Sequence, residues 1–208
     1  MDSIERLDSE ELLHLALRAT KNNKTEDSIE YLKRSIQLSP KFGKAYYLLG
    51  ALHAELGLYE RAIEEMTKAI ELEPSITAAH FQLGLLHITF GRVEQARLAW
   101  EPLDEHGDTH PFWLFKEGML HLAADDYEQS IERLSQGIAL NKMNAALNKD
   151  MQQVIERTKA VLANLTPGQP PIADRKSRAK PAEESENGKK RKHVLLSAYQ
   201  NQDEDTTH

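Results

Sequence analysis

The sequence contains no cysteine, no long apolar run and no excess of positive charge. Without cysteine, its 208 residues cannot form a disulfide framework, a thiolate-ligated metal site or a thiol nucleophile, and this favours a reducing compartment. The longest apolar runs span a few residues, whereas a membrane helix needs about 20. The N-terminal sequence MDSIERLDSEE is acidic where a secretion signal is basic and then apolar. We therefore expect a cytoplasmic protein with no membrane span.

The acidic charge is concentrated in the first three quarters of the chain. Residues 1–164 carry 18 Lys and Arg against 26 Asp and Glu, a net charge of −8. Residues 165–208 carry 8 against 7, a net charge of +1, so the two segments sum to −7. An acidic body lacks the cationic face that a phosphate backbone requires. Nucleic acid is therefore an unlikely partner for the body.

Self-similarity with a 34-residue period organises residues 9–144. In each copy a small residue lies where two helices of a hairpin must approach closely, and a second small residue follows twelve positions later. Proline ends the second helix of the first two copies because it cannot supply the next backbone N–H. The repeated small residues are Ala16, Gly50, Gly84 and Gly118, then Ser28, Ala62, Ala96 and Ser130, and the two prolines are Pro40 and Pro74.

The pattern resembles the tetratricopeptide repeat, most specifically over residues 43–76, with Tyr46, Leu49, Gly50, Ala62 and Pro74 at characteristic positions. The resemblance implies an all-α fold, a right-handed α-solenoid of four helix hairpins. We place the repeats at about 9–42, 43–76, 77–110 and 111–144, after a lead-in at 1–8.

Two segments follow the repeats. From Asn144, a predicted N-cap, apolar residues recur with helical spacing, which predicts a capping helix over 145–165. Residues 166–208 are rich in proline, charge and small polar residues, a composition typical of a disordered tail.

In the tetratricopeptide family the first helix of each hairpin lines a concave face, so the resemblance implies a set of binding positions. Most are apolar here and form a second stripe beside the one that faces the partner helix. Contiguous exposed apolar surface is typical of a groove for an amphipathic helix or extended peptide. We expect Tyr47, Phe81, Leu85, Phe115 and Met119 to be its anchors. The implied groove residues are Leu13, Leu17, Lys44, Tyr47, Ala51, Phe81, Leu85, Ile88, Phe112, Phe115, Met119 and Leu122.

An alternative stays open at this point, because the second stripe could be covered by the N-terminal residues, the capping helix or a second copy of the chain. The groove positions also lack the Lys, Asn and Arg set with which heat-shock co-chaperones of the family clamp a C-terminal carboxylate. The apolar positions are more similar to the family's bacterial chaperones for hydrophobic secretion translocators.

Three histidines, His53, His87 and His121, share one repeat position. We interpret them as a structural ladder in which each ring nitrogen is hydrogen-bonded where two helices pack together. Packed helices lie about 10 Å apart, too far for these rings to share one zinc ion. Their protonation is expected to loosen the array at low pH. The run DEHGDTH at 104–110 is read as a solvated turn between repeats, with a cation site as the less favoured alternative.

No nucleophile and base set and no phosphate loop occurs in the sequence, so we expect neither an enzyme nor a cofactor. The tail carries a basic run followed by apolar residues, which resembles a nuclear-import or phosphate-contacting patch beside a linear binding motif at 189–200. We expect this motif to return to the protein's own groove or to dock on a partner. Its residues are Lys189, Lys190, Arg191, Lys192, Val194, Leu195 and Tyr199.

These observations together predict a non-catalytic adaptor or chaperone that binds an apolar peptide or helix. The alternative is a structural assembly subunit whose groove is filled within a homo-oligomer or larger complex. A third interpretation is a nucleic-acid or nuclear accessory acting through the basic tail.

Overall fold

The fold is taken from a computed structural model, which describes residues 6–164. Within this range the chain forms α-helices and one clear 3₁₀ helix, Glu101–His106, and no strand. The predicted motif at 189–200 and most of the lead-in lie outside the described residues. The helices are α1 Ser9–Lys21, α2 Thr25–Leu38, α3 Gly43–Glu55, α4 Tyr59–Leu72, α5 Thr77–Thr89, α6 Val93–Trp100, α7 Pro111–Ala123, α8 Tyr127–Leu140 and α9 Ala145–Asn164.

Consecutive helices pack as hairpins, α1 with α2, α3 with α4, α5 with α6 and α7 with α8, and α9 packs on α8. Helix α2 also contacts α3, and α4 contacts α5, so that each hairpin lies on the next. The predicted all-α array of hairpins is confirmed. One hairpin cannot cover its own apolar face, which is why the core runs from one hairpin into the next.

The turn inside each hairpin repeats the same backbone conformation. Asn23, Gly57, Gly91 and Asp125, spaced 34 residues apart, all have positive φ, between 58° and 76°. Asn, Asp and Gly are the residue types that adopt this left-handed conformation most readily. In each turn the next residue donates its N–H to a carbonyl five residues back, as Leu58 does to His53 at 2.8 Å. This bond satisfies a carbonyl at the end of the first helix.

Side chains fix the beginnings of several helices. Asp8 accepts the N–H groups of Glu10 and Glu11 at 2.9 and 2.8 Å, and the Glu11 carboxylate accepts the Asp8 N–H at 2.9 Å, a capping box. The predicted cap of α9 is confirmed, because the Asn144 side chain accepts the N–H of Leu147 at 2.9 Å.

The third hairpin departs from the others. Helix α6 has 8 residues, whereas α2, α4 and α8 have 14 each. Pro102 lacks an N–H and cannot continue an α-helix, so the chain passes into the 3₁₀ helix Glu101–His106. The buried core accordingly falls into two clusters, which meet at α5 and α6.

Candidate partner-binding surface

The structure places most of the expected groove residues inside the core. Seven of the twelve are buried, and three expected anchors, Tyr47, Phe81 and Phe115, are 0–1% exposed. The prediction that these side chains line an open groove is therefore wrong. The other buried members of the set are Leu13, Leu17, Ala51 and Met119.

Aromatic packing between neighbouring hairpins explains the burial of Phe81. Its ring lies 4.8 Å from that of Phe112 and 6.1 Å from that of Phe115, centroid to centroid. The Trp100 ring lies 6.2 Å away, and its Nε1–H donates to the Phe81 carbonyl at 2.8 Å. These large rings fill the space between the third and fourth hairpins, so the buried part of the second stripe belongs to the core.

A smaller apolar surface remains accessible beside this aromatic cluster. Leu85 and Ile88 of α5 and Phe112 and Leu122 of α7 are half-buried, and all four pack against the same core cluster. We call these four residues the α5/α7 strip. Lys44, the remaining predicted position, is also half-buried but lies on α3. The accessible part of the predicted groove is thus concentrated on the third and fourth hairpins.

A second exposed apolar surface was missed from the sequence. Leu56, Leu58 and Tyr59 at the turn between α3 and α4 are 53%, 41% and 38% exposed, and Phe90 at the next such turn is 41% exposed. The Tyr59 and Phe90 rings pack edge to face, with centroids 5.3 Å apart. We call these four residues the edge patch. Leu56 and Phe90 share one repeat position, a signal the sequence already contained.

A cation and a carboxylate border the edge patch. The Arg92 guanidinium lies 5.3 Å from the Phe90 ring centroid and forms an ion pair with Glu60 at 2.8 Å. Exposed aromatic residues beside an arginine are characteristic of the centres of protein interfaces.

Comparisons with known proteins agree with this architecture. The tetratricopeptide repeat profile matches residues 43–76, the second hairpin. The chain therefore contains a tetratricopeptide repeat, and its fold is that of tetratricopeptide repeat arrays. No curated protein matches the sequence at a significant level.

Solved tetratricopeptide structures resemble the whole array. TTC0263, a thermophilic protein of Thermus thermophilus, is 14% identical over 74% of this chain and 82% of that one, with a TM-score of 0.60. YrrB, described as a tetratricopeptide repeat protein with an unusual peptide-binding site, is 15% identical over 76% of this chain and 80% of that one, with a TM-score of 0.55. A chain of the APC/C hetero-tetramer Cut9–Hcn1 is 18% identical over 77% of this chain and 32% of that one, with a TM-score of 0.66. At these identities the likeness establishes the fold.

The repeated histidines have different surroundings in this array. His53 Nδ1 lies 2.6 Å from Glu65 Oε2, and His121 Nδ1 lies 3.0 Å from Asp126 Oδ2. His87 Nδ1 is buried with no hydrogen-bond partner among residues 6–164. The expectation that the ring nitrogens of these three histidines are all hydrogen-bonded is therefore wrong for His87 Nδ1. Burial, and to a lesser extent Arg92, lowers the pKa of His87, while Glu60 opposes the shift.

The segment 104–110 is not a simple turn. Asp104, Glu105 and His106 belong to the 3₁₀ helix, and Asp104 Oδ1 accepts from Trp113 Nε1 at 2.9 Å and from the buried Lys116 ammonium. Asp104 therefore neutralises an internal cation.

Among residues 6–164, no three or more His, Asp or Glu side chains are grouped so that they could hold a metal ion. None of the helices in that range is long and apolar enough to cross a membrane.

Asp150 of α9 is a candidate for a pH-dependent change in stability. Its Oδ2 is buried and has no hydrogen-bond partner in the described range. Burial raises the Asp150 pKa to about 6, and nearby Lys149 opposes the shift. A raised pKa in the folded state stabilises the fold while the group is protonated, and this contribution is lost as pH rises through about 6.

His87 and His110 act in the opposite direction. Burial is the main cause that lowers the pKa of each histidine in the folded state. The folded protein therefore loses stability as pH falls below 6.5, because the unfolded chain binds protons first.

We expect Asp150→Asn to raise the melting temperature at pH 7.5 by a few degrees. Removing a half-buried carboxylate is expected to gain about 1 kcal/mol, after discounting for solvent screening, and this corresponds to about 2–4 °C. The gain should shrink as pH falls below 6 and vanish below about 3.8, the ordinary pKa of aspartate, because Asp150 is then protonated in the folded and in the unfolded state. Melting curves from about pH 3.5 to 7.5 test this, with Asp108→Asn as the control at an exposed acid. A gain that is equal at all pH values would contradict the assignment.

Proposed function

We propose that this tetratricopeptide repeat protein is a non-catalytic interaction scaffold that binds an apolar peptide or amphipathic helix at the α5/α7 strip. The observation that carries the proposal is the grouping of Leu85, Ile88, Phe112 and Leu122, partly exposed, around one buried aromatic cluster. Such a strip provides side-chain pockets on a rigid base, because the rings beneath it cannot move without disturbing the core.

The form of the strip favours a short apolar ligand. Leu85 and Ile88 are three residues apart on α5, so their side chains lie on one face of that helix. Phe112 contributes an aromatic side chain from the adjacent hairpin. A partner helix with two or three apolar residues at spacings of three and four would match these positions. The family's use as a protein-interaction scaffold supports the same proposal.

Substituting the strip tests the proposal directly. We expect Ile88→Lys with Leu122→Lys to weaken partner binding by at least about tenfold, because each change places a charge where an apolar contact forms. The lysine stems can still lie along the apolar surface, so the fold should be retained. The measurement is affinity capture from cell extract, followed by titration of the captured partner.

The matched control is Gln95→Lys with Gln136→Lys, which adds the same two charges at exposed positions of α6 and α8. Melting curves of both variants show whether the fold is intact. If both variants capture the same partners with the same affinities, the strip is not the binding surface.

The edge patch favours the second candidate function, a structural assembly subunit. Exposed Tyr59 and Phe90 with Arg92 lie at the hairpin turns, and an array with two apolar surfaces can bridge two neighbours. Light scattering over a concentration series separates this from the first function, because a monomer at all concentrations excludes a permanent homo-oligomer.

A further inference from the structure

A groove lies between α6 and α7, where the third hairpin is irregular. Because α6 ends at Trp100, the wall that faces α7 changes there from α6 to the 3₁₀ helix Glu101–His106, and both elements contact α7. The resulting groove has a volume of about 570 Å³. Its apolar side chains are Leu98 and Leu120, and Leu98 is 70% exposed, the most exposed large apolar side chain in the described range.

Carboxylates outnumber cations around this groove. Glu94, Glu101, Asp104 and Glu117 oppose Arg97 and Lys116, so four negative charges against two positive ones leave a net charge of −2. Lys116 is already paired with Asp104 and lies 3.3 Å from Glu117. Glu94 and Glu101 are exposed and form no ion pair among residues 6–164. A ligand that combines basic and apolar side chains is therefore complementary to the groove.

A second groove, along α2, provides a comparison. It is larger, about 780 Å³, and also contains two apolar side chains, Ile29 and Leu38. Its carboxylates Glu26 and Glu30 are balanced by Lys33 and Arg34, for a net charge of zero. Charge therefore distinguishes the two grooves, and only the α6/α7 groove favours a basic ligand.

We propose that residues 189–199 of the same chain bind in the α6/α7 groove. This segment, KKRKHVLLSAY, places four cationic residues directly before a run with Val194 and Leu195. The cations match Glu94 and Glu101, and the apolar residues match Leu98 and Leu120. The inference is independent of the proposed function of the α5/α7 strip.

The connecting chain is long enough for the segment to reach the groove. The described fold ends at Asn164 on α9, which packs on α8, the hairpin partner of α7; two helix spacings are roughly 20 Å across the array, and the 20-residue α9 is about 30 Å long. Residues 165–189, taken as the random coil that their composition predicts, have a root-mean-square span of about 25–30 Å. Such a tether provides an effective concentration of about 1 mM, so an intrinsic Kd of about 100 µM would keep roughly nine tenths of the segment bound.

Distance measurement on the full-length chain tests the proposal. Because the protein has no cysteine, Gln95→Cys on α6 and Gln200→Cys beyond the segment create two unique sites for spin labels. In this background we expect double electron–electron resonance to show a narrow population of short distances. A chain whose segment does not bind gives only the broad distribution of a coil, and that result would overturn the proposal.

Two charge variants in the labelled background locate the binding site. Glu94→Lys with Glu101→Lys is expected to abolish the short-distance population, whereas Glu26→Lys with Glu30→Lys, the same charge change on α2, should leave it unchanged. Loss in both variants would indicate general electrostatic attraction and would overturn the assignment to this groove.

Val194→Asp with Leu195→Asp should also abolish the short-distance population, and retention of that population would contradict the apolar contacts. Dilution with unlabelled protein completes the test, because a population that fades on dilution means binding between two chains and not within one.

Discussion

Replacement of Gly84 by alanine is expected to destabilise the array by about 3 kcal/mol, near the upper end of overpacking costs in well-packed cores. A Cβ at this position would lie on the indole ring of Trp100. That ring is fully buried, and its Nε1–H is bonded to the Phe81 carbonyl, so it cannot swing away. In a chain of this size the loss corresponds to about 6–12 °C in melting temperature.

Gly50 is the matched control, since it occupies the same position of the second repeat. A Cβ there would lie 3.0 Å from Met66 Cγ and 3.1 Å from the Ala62 carbonyl oxygen, a tight contact that a small shift relieves, whereas the Cβ at Gly84 would overlap the Trp100 ring. The gain in helix propensity, about 1 kcal/mol, should offset much of the remaining cost. Denaturant unfolding of both variants measures the change in the free energy of unfolding. Equal losses of stability at the two glycines would refute the role assigned to Trp100.

The double variant Gly84→Ala with Trp100→Met examines the contact itself. Methionine is the residue that the second repeat has at the corresponding position, Met66. We expect the double variant to be more stable than the sum of the two single losses predicts, because the residues touch and their effects are coupled. Additive losses would show that the ring is not the obstacle.

Replacement of Asp104 by alanine is expected to cost about 2 kcal/mol. The Lys116 side chain is 7% exposed, and without Asp104 its ammonium keeps Glu117 as its one ion-pair partner among residues 6–164. Removing one partner of a buried ion pair costs about 3–5 kcal/mol, which we reduce because Asp104 itself is 55% exposed. The Trp113 Nε1–H loses its acceptor as well.

Lys116→Met provides the comparison for Asp104→Ala. It removes the cation together with its need for a partner, so we expect a smaller loss than for Asp104→Ala. Asp108→Ala, at an exposed acid four residues away, should change stability little. Urea unfolding of the three variants gives their losses in the free energy of unfolding. A larger loss for Lys116→Met than for Asp104→Ala would contradict the assigned role of Asp104.

The burial of Phe81 and Phe115 changes how binding can be tested. A charge at either position would enter the aromatic cluster between the third and fourth hairpins, and loss of a partner would then report unfolding rather than a lost contact. The half-buried residues Ile88 and Leu122 avoid this ambiguity, because charges at these positions can reach solvent.

The sequence by itself determined the hairpin array. The 34-residue spacing of small residues specifies where helices cross closely, and the spacing of residues such as Gly57 and Gly91 specifies where each hairpin turns. These features are local, because each depends on backbone conformation or on contacts within one hairpin. Asn144 as the cap of α9 belongs to the same class, since its bond to Leu147 spans three residues.

Only the tertiary structure decided which apolar side chains remain accessible. Phe81 is covered by Phe112 of the following hairpin, and periodicity does not state whether two such rings meet or leave a gap. The groove beside Leu98 likewise depends on how α6, the 3₁₀ helix and α7 pack together. A repeat pattern specifies which helices become neighbours. The volumes of side chains far apart in the sequence decide how much of the surface between those helices is left open.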